Sequence, residues 1–234
     1  MGTGFAIGNV DIEPHVAVIG VGGAGCNVVD SIYWDFPSAD TVAVNTDKKA
    51  LLSIRADKKL FICKTVTRGE GTGGDSLLGK RCMQAHKEEI TSALMGHDVV
   101  FIVAGMGGGT GTGAAPIIAE IAQGLNMIVF SIVINPFGFE TARMKTARNG
   151  ITQIKAVCPM TAVIENDLMV NKMPNATMSE VFTDVNRSIA AFIRRSKTTI
   201  VNTFVEQLKH IDEIVKDGSC VPIINPANGL VTNL

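Results

Sequence analysis

Along most of the chain, short apolar runs alternate with longer stretches whose apolar positions recur at helical spacing. Residues 16–19 are apolar and lead into glycine, which predicts a buried strand, and residues 25–34 behind them predict a helix. Residues 41–44 and 60–63 predict two further strands. Residues 76–94 keep helical spacing and predict a helix that ends near Gly96. Residues 98–104 form the strongest strand pattern, and glycines and a predicted helix at about 112–124 follow. A strand at 127–134 closed by Asn135 and Pro136, a helix at about 141–156 and a strand at 160–165 complete the series. Such alternation predicts an α/β fold, a doubly wound, mainly parallel sheet with helices on both faces. Ligands of such sheets lie beyond the C-terminal ends of the strands.

From residue 178 to about 214 the pattern changes. No Gly or Pro interrupts it, and Arg187, Arg194, Arg195 and Lys197 lie among apolar positions. This predicts a long C-terminal helical segment of one or two helices, with residues 198–201 as a weak point because β-branched residues cluster there. The expected organisation is one domain over 1–234, with an N-terminal extension at 1–14 and a short tail at 218–234.

Composition changes the picture chiefly through glycine. Fourteen of the 24 glycines lie in three clusters, at 20–25, 69–74 and 105–113, where backbone must turn sharply or approach something closely. The first cluster, Gly20-Val21-Gly22-Gly23-Ala24-Gly25, fits G-x-G-x-x-G between a strand and a helix, a phosphate-facing turn. Alone it serves a mononucleotide or a dinucleotide, and Asp40 or Asp47 could act as the acid a dinucleotide site requires. The third cluster alternates Gly with Thr110 and Thr112, which offers consecutive backbone donors and two hydroxyls to a di- or triphosphate. The P-loop pattern is absent, since its nearest match, Gly74 to Arg81, places Arg81 where a hydroxyl should meet magnesium.

Charge and cysteine set the class. A net charge of −1 argues against a nucleic-acid partner held by phosphate contacts. The start of the chain has no signal-peptide pattern, and the longest nearly apolar stretch, 125–137, is shorter than the ~20 residues of a membrane helix. A cytoplasmic protein without a transmembrane segment is expected. Five widely spaced cysteines without a C-x-x-C pair are expected to be reduced thiols, and the four histidines match no metal-ligand spacing.

The residues quoted so far resemble the tubulin/FtsZ family of GTPases, FtsZ more closely than tubulin. Residues 104–116 are similar to that family's glycine-threonine signature almost position for position. The likeness continues through 20–27, Asn45-Thr46-Asp47, the run from Thr67 to Gly74, and Pro136-Phe137-Gly138-Phe139-Glu140. The resemblance implies a guanine nucleotide, GTP or GDP, across the strand edge. It places Gly22, Gly23, Ala24 and Asn27 along the phosphates and base. It places Gly108, Gly109, Thr110, Gly111 and Thr112 around the α- and β-phosphates, and Gly71, Thr72 and Gly73 at the γ-phosphate. Glu140 and Arg143 would hold the ribose and nearby groups, Asn166 and Asn186 would read the guanine edge, and Asn45 and Asp47 belong to a further loop of the site. Mg²⁺ would be oriented by Asp47 through water.

The chain also departs from the family pattern. Lys48 and Lys49 follow Asp47 where Gln is frequent at the second position, and Glu140 and Arg143 are three residues apart rather than four. In the family's filaments an acidic loop after the long helix enters the next subunit's site. Asp212 and Glu213 fall at about that distance from Asn186 and are the candidate catalytic acids. At this length the chain leaves no room for the family's second domain. The resemblance therefore implies a guanine-nucleotide-binding protein that hydrolyses GTP slowly and self-associates. The alternative is a non-hydrolysing scaffold that binds itself or a true FtsZ, and the first glycine loop alone also admits an NAD or FAD oxidoreductase.

Overall fold

A computed structural model describes residues 6, 7, 10, 11 and 14–216, with side chains for 14–203 and 206. It divides into two compact units, residues 14–194 and residues 1–13 with 195–234. The smaller unit contains two short antiparallel strands, β1 (Ala6–Ile7) and β2 (Val10–Asp11).

The larger unit is built on six parallel strands, β3 (Val16–Val21), β4 (Asp40–Asn45), β5 (Lys58–Phe61), β6 (Val99–Gly105), β7 (Ile128–Asn135) and β8 (Thr161–Glu165). Their order is β5-β4-β3-β6-β7-β8, with Val21 level with Val44 and Ala104. Strand order reverses between β3 and β6, and such a reversal opens a crevice beyond the strand ends. Ala17, Ile19, Val100, Ile102, Val129 and Val133 face one continuous core. That face is covered by α4 (Ser76–Ala85), α5 (Lys87–Leu94), α6 (Gly109–Gly124) and α7 (Thr141–Val157). α1 (Gly22–Ile32) packs across β3, β4 and β6. Alternate residues of the central strands are buried on both faces, as a parallel sheet between two helical layers requires.

Three short helices escape the periodicity reading: α2 (Lys48–Ser53), α3 (Lys64–Thr67) and α8 (Asn166–Lys172). The last helix, α9 (Met178–Lys216), runs unbroken through residues 198–201. Val181, Val185, Ile189 and Ile193, one every four residues, are buried along it.

Two expectations need correction. Residues 76–94 form two helices, because His86 leaves helical geometry at φ −118°, ψ 24°. Its Nδ1 lies 2.8 Å from the Cys82 carbonyl oxygen, and its Nε2 accepts from the Cys63 N–H at 3.3 Å. Cys63 and Cys82, expected as free thiols, form a disulfide.

Arg55 ties the region after α2 to α1. Its Nε and Nη2 donate to the two Asp30 oxygens at 2.8 and 3.1 Å, and its backbone N–H donates at 2.7 Å. The Arg55 side-chain hydrogen bond is the main cause that holds the Asp30 carboxyl below its usual range. A depressed carboxylate stabilises the fold above its unfolded pKa, about 3.9, and that contribution is lost as pH falls through the lower folded value. Asp30→Asn should therefore cost on the order of 0.5 kcal/mol at neutral pH, discounted because the pair is partly solvated. In thermal melts the gap to the parent should close in acid; a gap that persists there would contradict the assignment.

Candidate nucleotide site

Both long glycine loops lie at the reversal of strand order, one after β3 and one after β6, and each runs directly into a helix. Neither α1 nor α6 has a side-chain cap or an acidic residue in its first turn. Their first N–H groups are therefore free to meet an anion, with the helix dipoles adding to the attraction. Gly22 has φ +70°, and a Cβ there would lie 3.0 Å from the Gly111 nitrogen, so only glycine lets the two helix starts converge. A Cβ on Gly109 would overlap the Thr72 hydroxyl and the Asp75 carbonyl oxygen, which sets the 69–74 segment against the start of α6.

The residues that follow β4 hold both the third loop and the 69–74 segment. Thr46 and Thr110 share a hydroxyl hydrogen bond of 2.7 Å, Gly71 N–H donates to the Thr46 carbonyl at 3.3 Å, and Asp47 bridges to Glu70. Asn45 acts within its own loop, where Oδ1 accepts from the N–H groups of Thr46 and Asp47 at 2.8 and 3.2 Å. Asp47 Oδ1 accepts from Ala50 N–H at 2.9 Å and so caps α2. Thr112 points inward and accepts from Gly107 N–H at 2.9 Å.

Above these loops lies a cavity of about 780 Å³, which adjoins a smaller one of about 270 Å³ across the shared residues Gly23, Ala24, Gly105, Met106 and Arg143. The smaller end is walled by Gly22, Gly108, Gly109, Thr110 and Gly111, backbone donors at a helix start. The larger end is walled by Asn27, Glu140, Asn166 and Asn186, with Phe137, Phe139 and Phe182 beside them. Of the residues expected at the phosphates, Gly108, Gly109, Thr110 and Gly111 line the smaller cavity, and Asn166 and Asn186, expected at the base, line the larger. Gly71, Thr72 and Gly73 adjoin the phosphate end through Thr46 and Gly109 without lining either cavity. Asp212 and Glu213 fall late in α9, where side chains lie outside the described residues.

Glu140 and Arg143 meet despite their shortened spacing. They stand three residues apart at the start of α7, and Arg143 Nη1 donates to Glu140 Oε2 at 2.7 Å. The base end carries the more telling feature. Asn166 is 4% exposed, lines the cavity, and its Oδ1 has no hydrogen-bond partner. Such an atom is costly unless a donor arrives. Asn135 has a second unpartnered oxygen, while its Nδ2 donates to Glu165 Oε2 at 2.8 Å.

Sequence reading missed Asn135, Phe139 and Phe182. Phe139 is 71% and Phe182 47% exposed, and both reach the cavity with Phe137, whose ring stacks on Phe139 and meets Phe182 edge to face. Neither has the burial of a core residue, and a flat π surface beside amide groups suits a heterocyclic base.

Mg²⁺ fits this donor set only as a companion of phosphate. Among the described residues no cluster of three or more His, Cys, Asp or Glu could hold a metal alone, while Asp47 keeps one carboxylate oxygen beyond its cap. One carboxylate plus substrate phosphates is an ordinary magnesium arrangement. No helix among the described residues is long and apolar enough to cross a membrane.

Comparison with known proteins identifies the family and agrees with the fold. Cell division protein FtsZ 2 of Methanocaldococcus jannaschii is 39% identical over 201 residues, 86% of this chain and 52% of that protein. Cell division protein FtsZ 1 of Thermococcus kodakarensis is 35% identical over 216 residues, 91% of this chain and 58% of that protein. An FtsZ dimer from M. jannaschii superposes with a TM-score of 0.73 at 36% identity, over 76% of this chain and 53% of that one. A GTPγS-bound protofilament of CetZ2 from Haloferax volcanii superposes with a TM-score of 0.70 at 30% identity, over 79% of this chain and 57% of that one. The chain spans about half the length of the curated relatives it matches. Residues 15–174 match the Tubulin/FtsZ family, GTPase domain, and the chain belongs to that family.

Proposed function

We propose that this chain binds GTP and GDP in the crevice between the β3 and β6 loops and self-associates as a cytoskeletal or cell-division protein. The carrying observation is a cavity lined by Asn166, whose buried Oδ1 has no partner in the fold, adjoining one walled by two uncapped helix starts. Guanine presents N–H donors on its edge, and an amide such as Asn186 can both donate and accept there. The helix starts and Thr110 would cradle the phosphates, with Gly71, Thr72 and Gly73 at the γ-phosphate. The GTPγS-bound protofilament of the CetZ2 relative supports both nucleotide and assembly.

Hydrolysis transfers the γ-phosphoryl group to water, and the chain's part is placement and charge stabilisation by backbone N–H groups. Mg²⁺, held by the phosphates and by Asp47 through water, would neutralise developing charge. Asp47 caps α2 with one carboxylate oxygen and would direct the other to the metal-bound water, which leaves the attacking water to another group. Asp212 and Glu213 of a neighbouring copy are the proposed source. That dependence favours slow turnover in the monomer. It also supports the second reading, a nucleotide-binding scaffold that assembles with itself or an FtsZ without turnover.

Denaturing the purified protein should release GDP or GTP, and titration should favour GTP over ATP and NAD. Release of stoichiometric NAD or FAD would overturn the reading. Phosphate release should rise more than linearly with protein concentration and fall in Asp212→Ala/Glu213→Ala. Release that stays at background at every concentration would select the scaffold.

A further inference from the structure

The Cys63–Cys82 disulfide encloses residues 64–81, a ring that contains α3, the whole 69–74 glycine segment and the first half of α4. Both ends of the ring are structural pivots. Cys63 stands at φ +61°, where the chain turns into α3, and its carbonyl accepts from the N–H groups of Val66 and Thr67 and from the Thr67 hydroxyl. That hydroxyl also reaches the Thr46 carbonyl at 3.2 Å. Cys82 lies on α4, where a Cβ on Gly79 would overlap the Gly109 carbonyl oxygen at the start of the phosphate helix. The cross-link therefore holds the glycine segment from both sides against α6. His86 bridges the two cysteine backbones: its Nε2 accepts from Cys63 N–H, and its Nδ1 lies 2.8 Å from the Cys82 carbonyl oxygen.

We infer that Cys63 and Cys82 form a reversible thiol–disulfide site whose oxidised state holds the 69–74 segment in place and so favours triphosphate over diphosphate. This rests on the nucleotide reading above, which places that segment at the γ-phosphate. Oxidation needs a small-molecule disulfide such as oxidised glutathione. One cysteine thiolate attacks it and releases one small thiol; the other cysteine then attacks the mixed disulfide and releases the second. Two protein thiols lose two electrons and two protons, and one small disulfide becomes two thiols. Cys63, 8% exposed, is the cysteine that meets the small disulfide first, since Cys82 and Cys26 are fully buried and burial pushes the Cys26 thiol up to about 12. Reduction removes the cross-link and leaves the segment to its hydrogen bonds, such as Gly71 N–H to the Thr46 carbonyl and Gly69 N–H to the Thr67 hydroxyl, so more of its ordering falls to the ligand.

The test compares three proteins: parent equilibrated with oxidised glutathione, parent reduced with dithiothreitol, and Cys82→Ser. Alkylation before digestion should recover the 63–82 cross-linked peptide only from the first. GTP should bind the oxidised parent at least about fivefold more tightly than the other two, the lower end of ordinary coupling between sites, while GDP affinity changes less than twofold. By linkage, saturating GTP should shift the thiol–disulfide equilibrium toward the disulfide by the same factor. The reduced parent carries the comparison if Cys82→Ser folds poorly. Unchanged GTP-to-GDP preference between oxidised and reduced parent, with both nucleotides bound, overturns the inference. If no form binds guanine nucleotide, the nucleotide reading has failed, and hydrogen exchange over 68–75 decides the remaining claim. Faster exchange in the reduced parent supports a latch on the segment, and equal exchange overturns it.

Discussion

Gly109→Ala is expected to weaken nucleotide binding 100-fold or more and lower thermal stability together. The new Cβ would fall on the hydroxyl of Thr72, a buried β-branched side chain, and on the Asp75 backbone carbonyl, which no side-chain rotation can clear. Either α6 shifts off the sheet or the 69–75 segment is pushed away from it. Overpacking of this kind costs about 1–3 kcal/mol, which lowers Tm by roughly 2–4 °C per kcal/mol at this size. Displacing backbone donors by an ångström weakens phosphate binding further, and a loss of 100-fold or more, about 2.7 kcal/mol, is expected. Two neighbouring glycines separate the causes. A Cβ on Gly124, at the other end of the same helix, meets nothing within 4 Å, so Gly124→Ala should leave binding unchanged and stability equal or slightly higher. Gly108 also meets nothing, but it lines the phosphate end of the cavity. Gly108→Ala should weaken nucleotide binding about tenfold with no change in Tm, since the methyl group enters ligand space alone. If Gly109→Ala bound nucleotide as tightly as the parent, the phosphate end would be misassigned.

The contrast among these glycines also marks what could be read in advance. A strand followed by glycine and a helix is a local pattern, so β3, β6 and the two long loops were legible from residue type and order. The tight approach of Gly22 to Gly111, or of Gly79 to Gly109, joins segments far apart in the chain and leaves no periodic trace. The same limit hid the disulfide, whose partners are 19 residues apart with no spacing rule to pair them. It also hid the break at His86, which follows from a hydrogen bond to Cys63 on another element. Short helices fail differently. α2 depends on the Asp47 cap and a tertiary hydrogen bond from Lys48 N–H to the Gly69 carbonyl, and six residues are too few to show a period. Phe182 sits beside Val181 and near Val185 on one helix, and residue type alone makes all three core. Only exposure distinguishes the half-exposed Phe182 ring at the cavity from the buried Val181 and Val185.

Asn166→Ala should show the opposite signature from Gly109→Ala, with binding lost and stability kept. Asn166 opens α8 directly after β8 and is buried, yet its Oδ1 contributes no hydrogen bond to the fold. Removing an unpartnered buried acceptor relieves a desolvation cost of about 1–3 kcal/mol, against a smaller loss of packing beside an existing cavity. The Tm of the nucleotide-free protein should therefore stay the same or rise. With guanine bound, the same oxygen would accept from the base, and its removal would leave that donor unpaired. A buried hydrogen bond lost in this way costs about 1–3 kcal/mol, so GTP and GDP should each bind roughly 5- to 150-fold more weakly. The phosphate end is untouched, so the residual affinity for ATP should not change, and the preference for guanine should fall by the whole factor. Calorimetric titration of GTP, GDP and ATP beside melts of the nucleotide-free protein reads all of these at once. A lower Tm with guanine preference intact would make Asn166 a structural residue and move base recognition elsewhere in the cavity. Lower affinity for GTP, GDP and ATP alike would place its oxygen at the phosphates or ribose instead.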